Sequence, residues 1–247
     1  MVDTSTLSIC YHTPMGKRGP RPGFNAKRKI AETWSSNLAY AVGLLATDGC
    51  LSPPGHLIDL TSKDREQLEN FRHCIGVDLK ITKKYSGGRE YLRIQFKNVL
   101  FYSFLISIGL TPAKSKTLSK LAIPEKYFFH FLRGVFDGDG SIYSYWDPRW
   151  KSSFMFYVCF ASASRAFIDW LRENVERQLS IRGHVTIAKR NICYQLKYAK
   201  SDGLKILRRM YHNTPKGSYL SRKRLKIEHT LRIVGKSLST KRKKLIK

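Results

Sequence analysis

The sequence predicts an α+β protein in which one αββαββα unit is used twice, and three observations carry that prediction. First, "NLAYAVGLLATDGCLS" near the start returns later as "HFLRGVFDGDGSIYS", with Gly43 falling on Gly134, Asp48 on Asp139 and Gly49 on Gly140. Repetition at one offset marks a duplicated structural unit. Second, "YLRIQFKNVLFYSFLISIGLTP" in the first copy resembles "CYQLKYAKSDGLKILRRMYHNTP" in the second. Third, within each copy the hydrophobic period switches between that of helices and that of strands. At 247 residues and 42% hydrophobic composition, two such units can bury a core.

Each unit opens on an apolar helix that ends at an Asp-Gly pair. Strands follow, one at residues 55–61 in the first copy and one at 154–160 in the second. Amphipathic helices come next, at 64–74 ("DREQLENFRHC") and 164–179 ("SRAFIDWLRENVERQL"), with Asp64 and Ser164 as N-caps. Two more strands precede a closing helix, at 99–108 or 203–211. The expected organisation is a basic N-terminal arm (1–36), a first unit (37–124), a second unit (125–235) and a basic tail (236–247). The arm contains "GKRGPRPGFNAKRK", whose Pro and Gly content favours a flexible strap along a DNA backbone over a targeting helix.

The strands are informative. In "REYLRIQFK", period-2 alternation puts Leu92, Ile94 and Phe96 on one face and Arg89, Tyr91, Arg93, Gln95 and Lys97 on the other. In "DLKITKKY", Lys80, Thr82 and Lys84 share a face. In the second copy Ile192, Tyr194 and Leu196 oppose Asn191, Gln195 and Lys197, and the preceding stretch adds His184, Thr186 and Arg190. A merely solvated face mixes charge signs. Here acids are nearly absent, and Arg and Gln are the residues that read guanine and adenine edges. The whole chain agrees: 45 Lys and Arg against 18 Asp and Glu give a net charge of +27. Such an excess repels itself unless a polyanion neutralises it, and double-stranded DNA is the partner this implies.

Other classes are excluded. Five cysteines without CxxC spacing, and seven histidines without zinc-ligand spacing, fit an intracellular reducing compartment better than a disulfide framework or a zinc site. Whether that compartment is cytoplasm, nucleoid or organelle is left open. No apolar run of about 18 residues exists, so no membrane span is expected.

The repeated motif carries the chemistry. Ala39, Gly43 and Thr47 recur at every fourth residue, as do Gly134 and Gly138. Small residues at that spacing let helix backbones touch. The two opening helices are therefore expected to pack on each other in a pseudosymmetric monomer, ending together at Asp48-Gly49 and Asp139-Gly140 with the glycines as C-caps. A helix C-terminus is partly negative, so two carboxylates there call for a cation. Carboxylate and phosphate oxygens suit Mg²⁺, and a divalent ion within a DNA-reading face points to phosphodiester hydrolysis. "DGDGS" is not an EF-hand loop, because Ile142 and Pro148 stand where Gly and Glu are required.

The segments "AVGLLATDG" and "LRGVFDGDG" resemble the LAGLIDADG motifs of homing endonucleases, and two motifs in one chain resemble the monomeric members of that family. The resemblance implies LAGLIDADG helices at the interface and antiparallel sheets forming a DNA-binding saddle. It implies Mg²⁺-dependent double-strand cleavage of a long, asymmetric site with short 3′ overhangs, with Mn²⁺ or Ca²⁺ able to occupy the same sites. Carried over residue by residue, Asp48 and Asp139 are the metal ligands, joined by the backbone carbonyls of Thr47 and Gly138. Asp137, whose counterpart is Ala46, falls outside the essential set. Lys63 is the basic residue near the scissile phosphate, although its counterpart Ala163 departs from the pattern. Lys114 and Lys116, with Arg222 and Lys223, lie in segments like those that bring lysines to the active centre, and Lys63 and Lys114 are the catalytic candidates. The same scaffold leaves open an RNA-binding intron maturase or an inactive DNA-binding regulator.

Overall fold

Helix α1 (Ser36–Asp48) starts where the Ser35 hydroxyl accepts from the Leu38 N–H at 3.1 Å. It is apolar on every side and buried from Leu38 through Ala46, because it packs against helices and a sheet at once. After it come β1 (Gly49–Ser52), β2 (Leu57–Ser62), α2 (Arg65–Ile75), β3 (Ile81–Ser86), β4 (Arg89–Lys97) and α3 (Val99–Ser107). The second copy is α4 (Phe128–Asp139), β5 (Gly140–Trp146), β6 (Phe154–Ser162), α5 (Arg165–Leu179), β7 (His184–Ala188), β8 (Cys193–Ala199) and α6 (Lys200–Tyr211). A further helix, α7 (Ser221–Ile233), was not expected from the periodicity. These are the elements of a computed structural model that describes residues 30–188 and 193–239. The N-terminal arm up to residue 29, the tail from residue 240, and Arg190, Asn191 and Ile192 lie outside the described residues.

Each unit holds one four-stranded antiparallel sheet, in the orders β1-β2-β4-β3 and β5-β6-β8-β7. The fold class is thus α+β with a repeated αββαββα plan, and one continuous hydrophobic core joins the units through α1 and α4. Ile94 and Leu196 are fully buried beneath their sheets. Their strand neighbours Arg93 and Gln95, and Gln195 and Lys197, therefore face away from the core.

Several local expectations are corrected. Strand β2 begins at Leu57 rather than at residue 55, because Gly55 and His56 turn with φ of 75° and 52°. Strand β3 begins at Ile81 rather than at residue 78. The Asp78 carboxylate and the Leu79 carbonyl instead take the Arg72 guanidinium, at 2.6 and 3.0 Å, leaving Lys80 just ahead of the strand. Asp64 occupies the N-cap position of α2 but makes no capping bond; its carboxylate receives the Arg222 guanidinium at 2.6 and 3.0 Å. Ser164 does cap α5, accepting from the Phe167 N–H. Gly49 and Gly140 end their helices, yet with φ of −84° and −86° rather than left-handed geometry. Their role is space: a Cβ at Gly49 would lie 2.7 Å from the Leu45 Cα, and one at Gly140 2.6 Å from the Phe136 Cα. The chain thus passes directly from helix to strand.

Candidate active site

Helices α1 and α4 touch backbone to backbone. A Cβ on Gly43 would lie 2.8 Å from the Gly134 Cα, and one on Gly134 2.9 Å from the Gly43 Cα. Ala39, one turn before Gly43, is fully buried. One turn after Gly134, Gly138 faces Thr47, and a Cβ there would sit 3.0 Å from Asp48 Oδ2. The small-residue face therefore brings the two Asp-Gly ends together.

The two carboxylates are held differently. Asp48 Oδ2 accepts from Gln67 Nε2 at 2.7 Å, and Gln67 Oε1 accepts from Ser62 Oγ at 3.1 Å. In the second unit a buried Phe167 stands where Gln67 does, so Asp139 lacks that amide. Burial pushes the Asp48 carboxyl up to about 6; the Gln67 bond opposes this, the Asp139 charge adds to it, and Lys223 and Lys114 oppose it. Asp139 reaches solvent, yet the surrounding protein raises its carboxyl too, against the same two lysines.

Those lysines fill matching places. Lys114 Nζ donates to the carbonyls of Thr47 (3.4 Å) and Gly49 (2.5 Å). Lys223 Nζ donates to the carbonyls of Phe136 (2.6 Å), Asp137 (2.8 Å), Gly138 (3.1 Å) and Gly140 (2.7 Å). Each ammonium thus sits on the negative pole of one central helix. Burial lowers both, Lys223 to about 8, while the neighbouring carboxylates oppose the shift. Lys223 is presented by the unexpected helix α7. The expected Lys63 is exposed, with its Nζ 5.6 Å from the centre of the Tyr91 ring. Lys116 is exposed, and Arg222 is committed to Asp64. Of the lysines named from sequence, Lys114 and Lys223 are those brought to the helix ends.

Asp137 serves another purpose. Its Oδ2 accepts from the Tyr40 hydroxyl on α1 and from the Leu220 N–H, both at 2.8 Å, and the residue is fully buried. Beside it, buried Arg133 donates to the carbonyls of Ser218 (2.7 Å) and Met210 (2.6 Å). This network ties α4 to α1 and to the segment that leads into α7.

The donor set suits a hard divalent cation. The two carboxylates stand at adjoining helix ends, each next in sequence to a backbone carbonyl, Thr47 or Gly138, that keeps a second lone pair beyond its lysine bond. Mg²⁺ takes one or two carboxylates together with water and substrate phosphates. Among the described residues no cluster of three or more His, Cys, Asp or Glu could hold a metal alone, so substrate oxygens would complete the shell.

The outward sheet faces differ between units. In the first, Thr61, Arg93 and Thr82 lie in one row, Tyr91 and Lys84 in another, and Arg89, Gln95 and Lys97 continue the strand, all exposed or half-buried. One carboxylate, Asp59, sits among them opposite Gln95, an exception on a face otherwise made of donors and an aromatic. In the second, one row holds Ser141, Cys159, Lys197 and His184, and another Ala161, Gln195 and Thr186. Alongside runs a tyrosine ladder: Tyr143 and Tyr145 stack on Tyr157 with ring centres 5.0 and 6.4 Å apart. Trp146, which packs on Phe154 with ring centres 5.1 Å apart, and Trp150 in the turn between β5 and β6 are also exposed. Alternation in "SIYSYW" was a signal for this ladder, whereas the roles of Gln67 and Asp59 become visible only once contacts between elements are known.

Fold and helix-end geometry together define the LAGLIDADG architecture, and solved structures share it. The homing endonuclease I-WcaI bound to its DNA recognition sequence aligns with a TM-score of 0.52 at 11% identity, over 81% of this chain and 87% of that one. The LAGLIDADG homing endonuclease I-LtrWI bound to target DNA aligns at 0.51 and 11% identity, over 81% and 90%. Full-length DUF199/WhiA from Thermatoga maritima aligns at 0.50 and 15% identity, over 82% of this chain and 61% of that one. At these identities the likeness is one of fold. No protein-family model and no curated protein matches the sequence.

Proposed function

We propose that this protein is a site-specific DNA endonuclease of the homing type, a monomer that makes a metal-dependent double-strand break with short 3′ overhangs in a long, asymmetric target. The observation that carries the reading is the pairing of Asp48 and Asp139 at the ends of two touching helices, beside Lys114 and Lys223. A bound divalent cation supplies charge stabilisation for the attacking and leaving oxygens of an in-line displacement. Asp48 and Asp139 would hold it, with the Thr47 and Gly138 carbonyls alongside. Gln67 fixes the Asp48 carboxylate in one orientation. Lys114 and Lys223 offset the negative helix ends, so that both carboxylates can stay ionised when a phosphate approaches. Arg89, Arg93, Lys84, Lys97 and Lys197 would position the duplex. A guanidinium-rich face in one unit and a tyrosine-rich face in the other suit an asymmetric target.

Sequencing the cut ends of a randomised duplex library after incubation with the protein and Mg²⁺ tests this. The expected result is one family of long sites with short 3′ overhangs, no cutting with a chelator, and recovery with Mn²⁺. Binding of such sites without any cutting would overturn the nuclease reading and leave a DNA-binding regulator. The exposed tyrosines and tryptophans favour a second reading, an intron maturase, since splayed RNA bases stack on aromatic side chains. Saturable, duplex-resistant binding of a structured intron RNA would support it.

A further inference from the structure

Asp59 is a carboxylate placed among donors on the face that would meet DNA. It is 8% exposed and lies in register between Cys50 of β1 and Gln95 of β4. Thr61 Oγ1 donates to its Oδ1 at 2.8 Å, Gln95 Nε2 donates to its Oδ2 at 3.2 Å, and an Arg93 terminal nitrogen lies 3.6 Å from Oδ2. Lys84 Nζ in turn donates to Thr61 Oγ1 at 3.4 Å. The second unit has Cys159, Ala161, Gln195 and Lys197 at the corresponding register positions, with no acid among them.

For phosphate binding alone such a carboxylate is a handicap, because it repels the polyanion. Its effect on its neighbours is different. A carboxylate paired with a guanidinium accepts hydrogen bonds and donates none. The Gln95 amide is therefore turned one way, nitrogen towards Asp59 and Oε1 left for a ligand. Arg93 is held beside the same carboxylate through a terminal nitrogen, and its buried Nε has no partner.

We propose that Asp59 is a specificity-determining residue of the first unit: it sets Gln95 to accept from the exocyclic amine of adenine or cytosine, and it orients Arg93 for a neighbouring guanine. The inference rests on the DNA-binding reading of this face. An unconstrained glutamine offers adenine both a donor and an acceptor. With one of its two N–H groups bonded to Asp59 and the amide orientation thereby fixed, Oε1 is the group presented to the groove as an acceptor. In the major groove adenine N6 and cytosine N4 are donors, whereas guanine O6 and thymine O4 are acceptors. Gln95 then selects adenine or cytosine against guanine or thymine.

The test is selection by binding from a randomised duplex library, with base preferences compared for the full-length wild type, Asp59→Ala and the exposed-site variant Gln95→Leu. The wild type should show one position where adenine or cytosine is preferred by about tenfold. Gln95→Leu and Asp59→Ala should both lose that preference at that same position, keep the preferences of the other half-site, and, for Asp59→Ala, bind non-specific DNA more tightly. The proposal is overturned if Asp59→Ala keeps the wild-type preference there, if Gln95→Leu and Asp59→Ala affect different positions, or if guanine or thymine is chosen. Selection of no duplex sequence by the wild type overturns the DNA-binding reading itself, and this inference with it.

Discussion

Asp137 and Asp139 are two residues apart on α4, yet their surroundings differ completely. Asp137 is fully buried and accepts from Tyr40 and Leu220, while Asp139 stands at the open end of the helix. Asp137→Ala leaves a buried hydroxyl and a buried N–H unpaired, so it should cost about 2–4 kcal/mol in urea unfolding. Asp139→Ala should cost far less. The choice of Asp139 over Asp137 as the proposed metal-holding residue came from the repeat, in which Asp48 matches the one and Ala46 the other, together with the resemblance to the LAGLIDADG motif. Gln67 and Asp59 could not be found that way, since each acquires its partner through contacts between elements. The Asp48 carboxyl, pushed up to about 6, gives a pH prediction. Holding a cation requires the ionised form, so cleavage rate should rise as pH passes through about 6 and level off above it. The stability effect has the opposite sign. A folded-state value raised above the usual 3.8 favours folding at low pH, and that contribution is lost as pH rises through about 6. Asp48→Asn should therefore raise the melting temperature of the metal-free protein at pH 7.

At the scale of elements, the contact between α1 and α4 governs the site. The four-residue spacing of Gly43 and Thr47, and of Gly134 and Gly138, was enough to predict that these helices meet. What spacing could not reveal was the function of the terminal glycines, which make room for the Leu45 and Phe136 backbones rather than adopting positive φ. Nor did it reveal α7, whose Lys223 answers the Lys114 of the first unit. A methyl group on Gly134 would press on the Gly43 backbone, so Gly134→Ala should destabilise by about 1–3 kcal/mol. Gly138→Ala acts elsewhere on the same interface, crowding Thr47 and Asp48 Oδ2. It should reduce cleavage more than stability, as unfolding and cleavage measured on the same preparation would show.

For the whole molecule, the duplicated plan was legible because the repeat fixes element order twice over, and a right reading of one unit is a right reading of both. The difference between the units was not legible in the same way. It resides in strand register, where Asp59, Thr61 and Gln95 answer to Cys159, Ala161 and Lys197. In the proposed function, the net charge of +27 would set the overall affinity for a polyanion and the helix ends would set the chemistry, so the two should separate by mutation. The most direct measurement is cleavage and binding of the selected duplex by the wild type, Asp48→Asn and Asp139→Asn, in Mg²⁺ across a salt series. Either substitution should abolish double-strand cleavage while log affinity falls with log salt on the wild-type slope. Double-strand cleavage that persists in both variants would contradict this.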